Sequence, residues 1–176
     1  TDHKNTPMTP AIALRDVQFA WPGQNTPVLD IPAFSLAPGE RLFLYGPSGA
    51  GKTSLLNLLA GIVLPQRGEV TLLGQSMAAL SGRQRDRFRA RHIGVVFPQF
   101  NLIRALITRP EILLADEPSS ALDSDHRDAF MEVMLRQVAD TGSTLIFVSH
   151  DRSLATAFDH QQDLRELSRV SIGEGL

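Results

Sequence analysis

The stretch that most constrains this chain is Gly46–Thr53, which reads Gly-Pro-Ser-Gly-Ala-Gly-Lys-Thr. It fits the pattern G-x-x-x-x-G-K-[ST]. Its flanks fit as well: the apolar run Arg41–Tyr45 (RLFLY) reads as a strand entering it, and Thr53–Ala60 reads as a helix leaving it. A strand-to-helix turn of this composition lets successive backbone N–H groups point inward around an anion. The helix N-terminus adds the positive end of its dipole, and Lys52 adds a mobile point charge. The motif therefore predicts a nucleotide-phosphate site built from Gly46, Ser48, Gly49, Ala50, Gly51, Lys52, Thr53 and Ser54, with the Thr53 hydroxyl on Mg2+. The bland alternative is a glycine-rich turn that binds nothing, and both correct flanks weigh against it.

A metal-holding carboxylate is expected at the end of a neighbouring apolar strand, where it projects into the crevice at the sheet's carboxyl edge. Asp116, closing the run Ile112–Ala115 (ILLA), meets that description. Glu117 follows it directly, placed to polarise a water for in-line attack on a terminal phosphate. The alternative is a helix-capping Asp-Glu pair ahead of Pro118.

Around these motifs the chain reads as α/β. Residues 1–10 read as a loose polar tail, and 11–176 as a single domain. Ala11–Trp21 and Ile31–Leu36 read as strands joined through a turn at Gly23–Thr26, an antiparallel start. Glu69–Leu73 is a further strand, Ser81–Arg91 a helix with Ser81 and Gln84 at capping-box spacing, and Ile93–Phe97 a strand. Ile112–Ala115 and Thr144–Val148 are short, wholly apolar runs, as strands buried on both faces require. Between them Ser124–Asp140 is an amphipathic helix, with Phe130, Val133, Met134 and Val138 on one side and Gly142 as its stop.

With 43% apolar and 20% charged residues and a net charge of −2, the chain has neither the composition of a disordered segment nor an overall basic footprint for nucleic acid. No cysteine is present, and no run of 18 apolar residues occurs. The basic run Arg83–Arg91 places arginines at every second position. On a helix these point in several directions, so a solvated face is the better reading.

Taken in order, GPSGAGKT, VVFPQFNL, ILLADEPSSALD and TLIFVSHD resemble the motifs of an ABC ATPase, and the resemblance covers Ala11 to Leu167. It implies a P-loop NTPase domain with a RecA-like parallel core and an N-terminal antiparallel β subdomain. It also implies ATP held between two such domains arranged head to tail. On the family spacing, Trp21 falls where an aromatic stacks on adenine, Ser120–Asp123 resembles the loop that touches the partner domain, and His150 resembles the switch histidine that reaches the γ-phosphate.

Two departures stand out. The family's lid glutamine position is Pro98, with Gln99 following; proline has no amide to offer a metal or a water, so either Gln99 serves as the metal ligand through a shifted loop or this step is impaired. The second concerns Leu80–Gln84 (LSGRQ), close to the Leu-Ser-Gly-Gly-Gln signature that grips a partner's nucleotide. In the family the signature follows the glutamine segment, whereas LSGRQ precedes it and is a decoy. The true signature belongs between Ile103 and Arg104, where only a helix of about 8 Å, Arg104–Thr108, remains to run back along a strand of roughly 17 Å. The helical subdomain is therefore largely missing there, either through disorder in a longer polypeptide or through deletion. Good motif quality on both sides of the join favours the former.

The resemblance implies an ATP- and Mg2+-dependent ATPase subunit, cytoplasmic and peripheral on the inner face of the membrane, powering a separate integral-membrane permease. HIGVVF, FNLI and FDHQQDLREL are similar to the lipoprotein-release, macrolide-export and cell-division group. An amino-acid importer ATPase, or a non-transport ABC module acting as a mechanical or regulatory switch, is the alternative. A P-loop kinase is disfavoured by the acidic pair together with His150.

Overall fold

The computed structural model describes residues 8–97 and 102–170. Strands β1 (Ile12–Phe19) and β2 (Leu29–Leu36) pair antiparallel, with Ile12 opposite Leu36 and Phe19 opposite Leu29. The chain then crosses into a second sheet through β3 (Arg41–Tyr45) and leaves it along helix α1 (Lys52–Leu59). β4 (Arg67–Leu72) and β5 (Gln75–Ser76) return to the first sheet, giving the antiparallel order β2-β1-β4-β5. There follow α2 (Gly82–His92), β6 (Ile93–Val96), α3 (Leu102–Ile107), β7 (Ile112–Asp116), α4 (Ser124–Thr141) and β8 (Thr144–Val148). A 3-10 turn over Arg152–Ala157, β9 (His160–Asp163) and α5 (Leu164–Leu167) complete the chain. The second sheet is parallel throughout, in the order β6-β7-β8-β3-β9.

The apolar runs behave as two-faced strands. Leu42 and Leu44, Ile112 and Leu114, and Ile146 and Val148 point to one side, into a core shared with α1 and the antiparallel sheet. Phe43, Leu113 and Ala115, and Leu145 and Phe147 point to the other, against Met131, Met134 and Val138 of α4. The period of two sorts every second residue to one layer. With eight residues α1 is too short to persist alone, so the burial of Leu55, Leu58 and Leu59 holds it in place, at about 1.5–3 kcal/mol for each side chain.

Val133 does not join that second layer and is 51% exposed. At about 100° per residue it sits a quarter turn from Met134, whereas Met131 and Val138 fall within the same arc. The edge strand β9 (HQQD) was not expected from the sequence, because a strand open on one side needs no apolar run.

LSGRQ opens α2. The Ser81 hydroxyl accepts from the Gln84 backbone N–H at 3.3 Å, and the Gln84 amide oxygen accepts from the Ser81 N–H at 2.8 Å, a complete capping box. The serine and glutamine of the decoy thus serve their own helix. Among the arginines that follow, Arg85 donates to the Leu80 carbonyl, while Arg89 pairs with Asp86 and reaches the Ala60 carbonyl.

Helix α3 spans the Ile103–Arg104 join. Although short, it closes the crossover from β6 to β7, because the connection from Phe97 to Glu111 reaches the dozen or so residues a parallel pair requires. It packs through Leu102, Ala105 and Leu106 close on the sheet. Gly94 of β6 makes that approach possible: a Cβ there would lie 2.9 Å from Pro110 and 3.1 Å from the Ala105 carbonyl. Pro98 and Gln99 lie outside the described residues.

Candidate functional site

Helices α2 and α4 begin with a side chain over their first backbone N–H groups, Ser81 and Asp123 respectively. Helix α1 does not. Its N-cap is Gly51 at φ 93°, with no side-chain cap, so its first N–H groups face the loop without a side-chain partner. A side chain at 51 would also collide, since a Cβ would lie 2.9 Å from Leu29 and 3.2 Å from Val28. The helix end that the sequence leaves uncapped is the one the glycine loop wraps, and that combination suits an anion.

Strand order brings the rest of the site to this point. β8 lies between β3 and β7, with Val148 level with both Leu44 and Asp116, so the loops after all three strands open at one sheet edge. A cavity of about 380 Å3 there is lined by Trp21, Gln24, Val28, Ser48, Gly49, Gly51, Lys52, Thr53, Ser54, Asp116 and Glu117. Of the residues expected from the sequence, Gly46 and Ala50 shape the loop from behind. The Gly46 carbonyl accepts from Lys52, and Ala50 is buried. Lys52 Nζ donates to the carbonyls of Gly46 at 2.6 Å and Pro47 at 3.0 Å, which holds the ammonium across the loop.

Thr53 Oγ1 donates to Asp116 Oδ2 at 3.1 Å. Adjacent ligands of an octahedral Mg2+ with bonds of 2.0–2.1 Å stand roughly 3 Å apart, so this hydroxyl and carboxylate fit two neighbouring positions of such an ion. Both are hard oxygen donors, and Mg2+ ordinarily takes its remaining ligands from water and phosphate. Burial pushes the Asp116 carboxyl above its ordinary range, partly offset by the Thr53 hydrogen bond and raised further by Glu117.

A raised carboxyl favours the proton-bound form in the folded chain, so this group costs stability increasingly as pH rises above its unfolded value. Asp116→Asn therefore melts at a higher temperature than the parent at pH 7 without nucleotide, and the gap narrows as pH falls into the carboxylate range. Thermal unfolding across pH measures this; a gap that widens on acidification contradicts it.

Glu117 adopts φ 47°, a left-handed conformation that costs a non-glycine residue on the order of 1–3 kcal/mol. Its backbone N–H donates to the Val148 carbonyl at 2.8 Å, which holds the turn. The result aims its carboxylate at the loop after β8, where Oε1 accepts from the His150 backbone N–H at 2.9 Å and lies 3.0 Å from His150 Nδ1. His150 itself is largely exposed and lines an adjoining cavity with Ser119, Ser120 and Arg127, rather than the one holding Lys52. Glu117 borders both cavities.

Sequence reasoning missed Gln24 and Val28. A signal for Gln24 was present: Trp21-Pro-Gly-Gln24 is a turn in which the Gln24 N–H donates to the Trp21 carbonyl at 3.0 Å, so the two side chains leave one loop together.

Comparison with known proteins places this geometry in context. The family described as ABC transporter matches residues 29–103. The lipoprotein-releasing system ATP-binding protein LolD of Xanthomonas campestris pv. campestris is 31% identical over 211 aligned residues, taking in 84% of this chain and 88% of that protein. The LolD of Xanthomonas axonopodis pv. citri is 30% identical over 235, taking in 98% and 96%. An uncharacterised ABC transporter ATP-binding protein of Mycobacterium tuberculosis is 31% identical, over 78% of this chain and 79% of its own length. Both LolD alignments are longer than this 176-residue chain, so those relatives carry residues with no counterpart in it. Among solved structures, the cassette MJ0796 in its dimeric post-hydrolysis state bound to ADP and Pi superposes with a TM-score of 0.78 at 22% identity, covering 86% of this chain and 93% of that one. A bacterial Atm1-family ABC exporter with ATP bound gives 0.75 at 20%, covering 93% and 39%. At such identities these two show a shared fold.

Proposed function

Because this chain belongs to the ABC transporter family, as an ATP-binding subunit, we propose that it powers a lipoprotein-release type of system, hydrolysing ATP to drive a separate membrane-embedded partner. The observation that carries the chemistry is the convergence of the uncapped α1 terminus, the Thr53–Asp116 pair and Glu117 on one cavity. The identity with LolD proteins supports the type of system. No helix among the described residues is long and apolar enough to cross a membrane.

In this reading the loop amides and Lys52 hold the β- and γ-phosphates, Thr53 and Asp116 hold Mg2+, and Trp21 stacks on the base. Bound Mg2+ supplies charge neutralisation at the phosphates. Glu117 takes the proton of the attacking water. Its Oε1 is anchored by His150, which leaves the other carboxylate oxygen for that proton. The exposed imidazole of His150 can leave Oε1, which the His150 backbone N–H still holds, and swing toward the γ-phosphate.

A second cassette completes the working unit. The longer alignments with LolD, and the end of the family match at Ile103, support a helical segment missing from this chain at the 103/104 join. The signature that faces this chain's nucleotide then comes from the opposing subunit. Co-expression with a lipoprotein-release permease and affinity capture in detergent tests the type of partner: a stable complex whose ATPase rises on adding lipoprotein is expected. Capture of an amino-acid importer permease in its place would overturn the assignment.

A further inference from the structure

Trp21 is the only tryptophan of the chain and lies just past β1; Ser54 lies in the first turn of α1. The indole Nε1–H donates to Ser54 Oγ at 3.0 Å. Phe19 meets the ring edge-on, with centroids 5.0 Å apart and planes at 79°, so the indole is held at two places. Ser54 is 7% exposed, and both residues line the phosphate-loop cavity.

An indole N–H can only donate, whereas a hydroxyl accepts and donates at once. Accepting from Trp21 leaves the Ser54 proton available, and among the described residues it has no acceptor. It sits one residue beyond Thr53, at the helix end that attracts anions. We infer that Ser54, already expected at the phosphates, is also a positioning residue for the base platform, its hydroxyl accepting from the Trp21 indole and so tying the ring to the phosphate loop. The inference rests on the nucleotide-binding reading above. It makes recognition of the base and of the phosphates interdependent, since each end of the link orients the other. A phenyl ring at position 21 could stack but could not form the link.

The single indole makes the link readable without turnover. In the nucleotide-free protein, Ser54→Ala is expected to increase acrylamide quenching of Trp21 emission about two-fold, and Ser54→Thr, which keeps the hydroxyl, to restore the parental value. In calorimetry with Mg2+ and ATP, the losses from Trp21→Phe and Ser54→Ala are expected not to multiply. The double variant should bind about five-fold better than the product of the two losses, the fold-change of one hydrogen bond. Should Ser54→Ala prove unstable, Ser54→Cys carries the same comparison, sulfur being a weak acceptor. Unchanged quenching in the Ser54 variants, or losses that multiply, would overturn the inference. A parent protein that binds no ATP would instead remove the nucleotide reading, and the quenching comparison would still decide whether Ser54 holds the ring.

Discussion

Replacing Lys52 by alanine is expected to lower the affinity for MgATP on the order of 100-fold, to the point where calorimetry at ordinary protein concentrations records no binding. Among the described residues the ammonium is the one cation lining the cavity, and a charge-assisted contact to phosphate contributes roughly 1.5–3 kcal/mol before the wider field of a triphosphate is counted. Loss of the side chain leaves the Gly46 and Pro47 carbonyls without their lysine donor, but both sit in an open loop where water can replace it. The melting temperature should therefore move little, which separates a binding defect from a folding defect. Undiminished affinity in a folded Lys52→Ala protein would count against the phosphate-loop assignment.

The second large effect is kinetic. Glu117→Gln should bind MgATP within a few-fold of the parent while releasing phosphate about 100- to 10,000-fold more slowly, the range typical of a lost general base. Glutamine has nearly the same shape, and its amide oxygen can still accept from the His150 N–H. The left-handed turn at position 117 is held by the backbone bond to Val148, which the substitution does not touch. Single-turnover phosphate release with binding measured in parallel checks both halves. A variant turning over at the parental rate would remove Glu117 as the base and direct attention to His150, its neighbour at 3.0 Å.

The arrangement also shows a trade between stability and function. The glycine N-cap of α1, the raised Asp116 carboxyl and the positive φ of Glu117 each cost the fold something, and all three lie at one sheet edge. Helices α2 and α4, by contrast, are capped by side chains, and α4 ends at Gly142 in the left-handed conformation; positive φ at a non-glycine residue is not confined to this edge, since Asp16, Leu73 and Arg109 share it. An uncapped helix end, a raised carboxyl and a left-handed turn gathered at one edge are what a binding site built by preorganisation looks like.

What could be read from the residues alone was whatever a few neighbouring positions decide. The phosphate loop, the acidic pair after an apolar strand, the Ser81 capping box and the buried strands β3, β7 and β8 are each written within about a dozen residues, because turn chemistry and two-sided burial act over that range. Tertiary structure decided the rest. It set the order β6-β7-β8-β3-β9, which carries Asp116 to within 3.1 Å of Thr53. It added the polar edge strand β9, joined the Trp21 indole to Ser54 and turned Glu117 toward His150. It also seated the six-residue helix α3 close on β6, through the space Gly94 leaves. The physical reason is the same in each case: which strand lies beside which depends on complementary buried faces far apart in the chain, and no local pattern records that pairing.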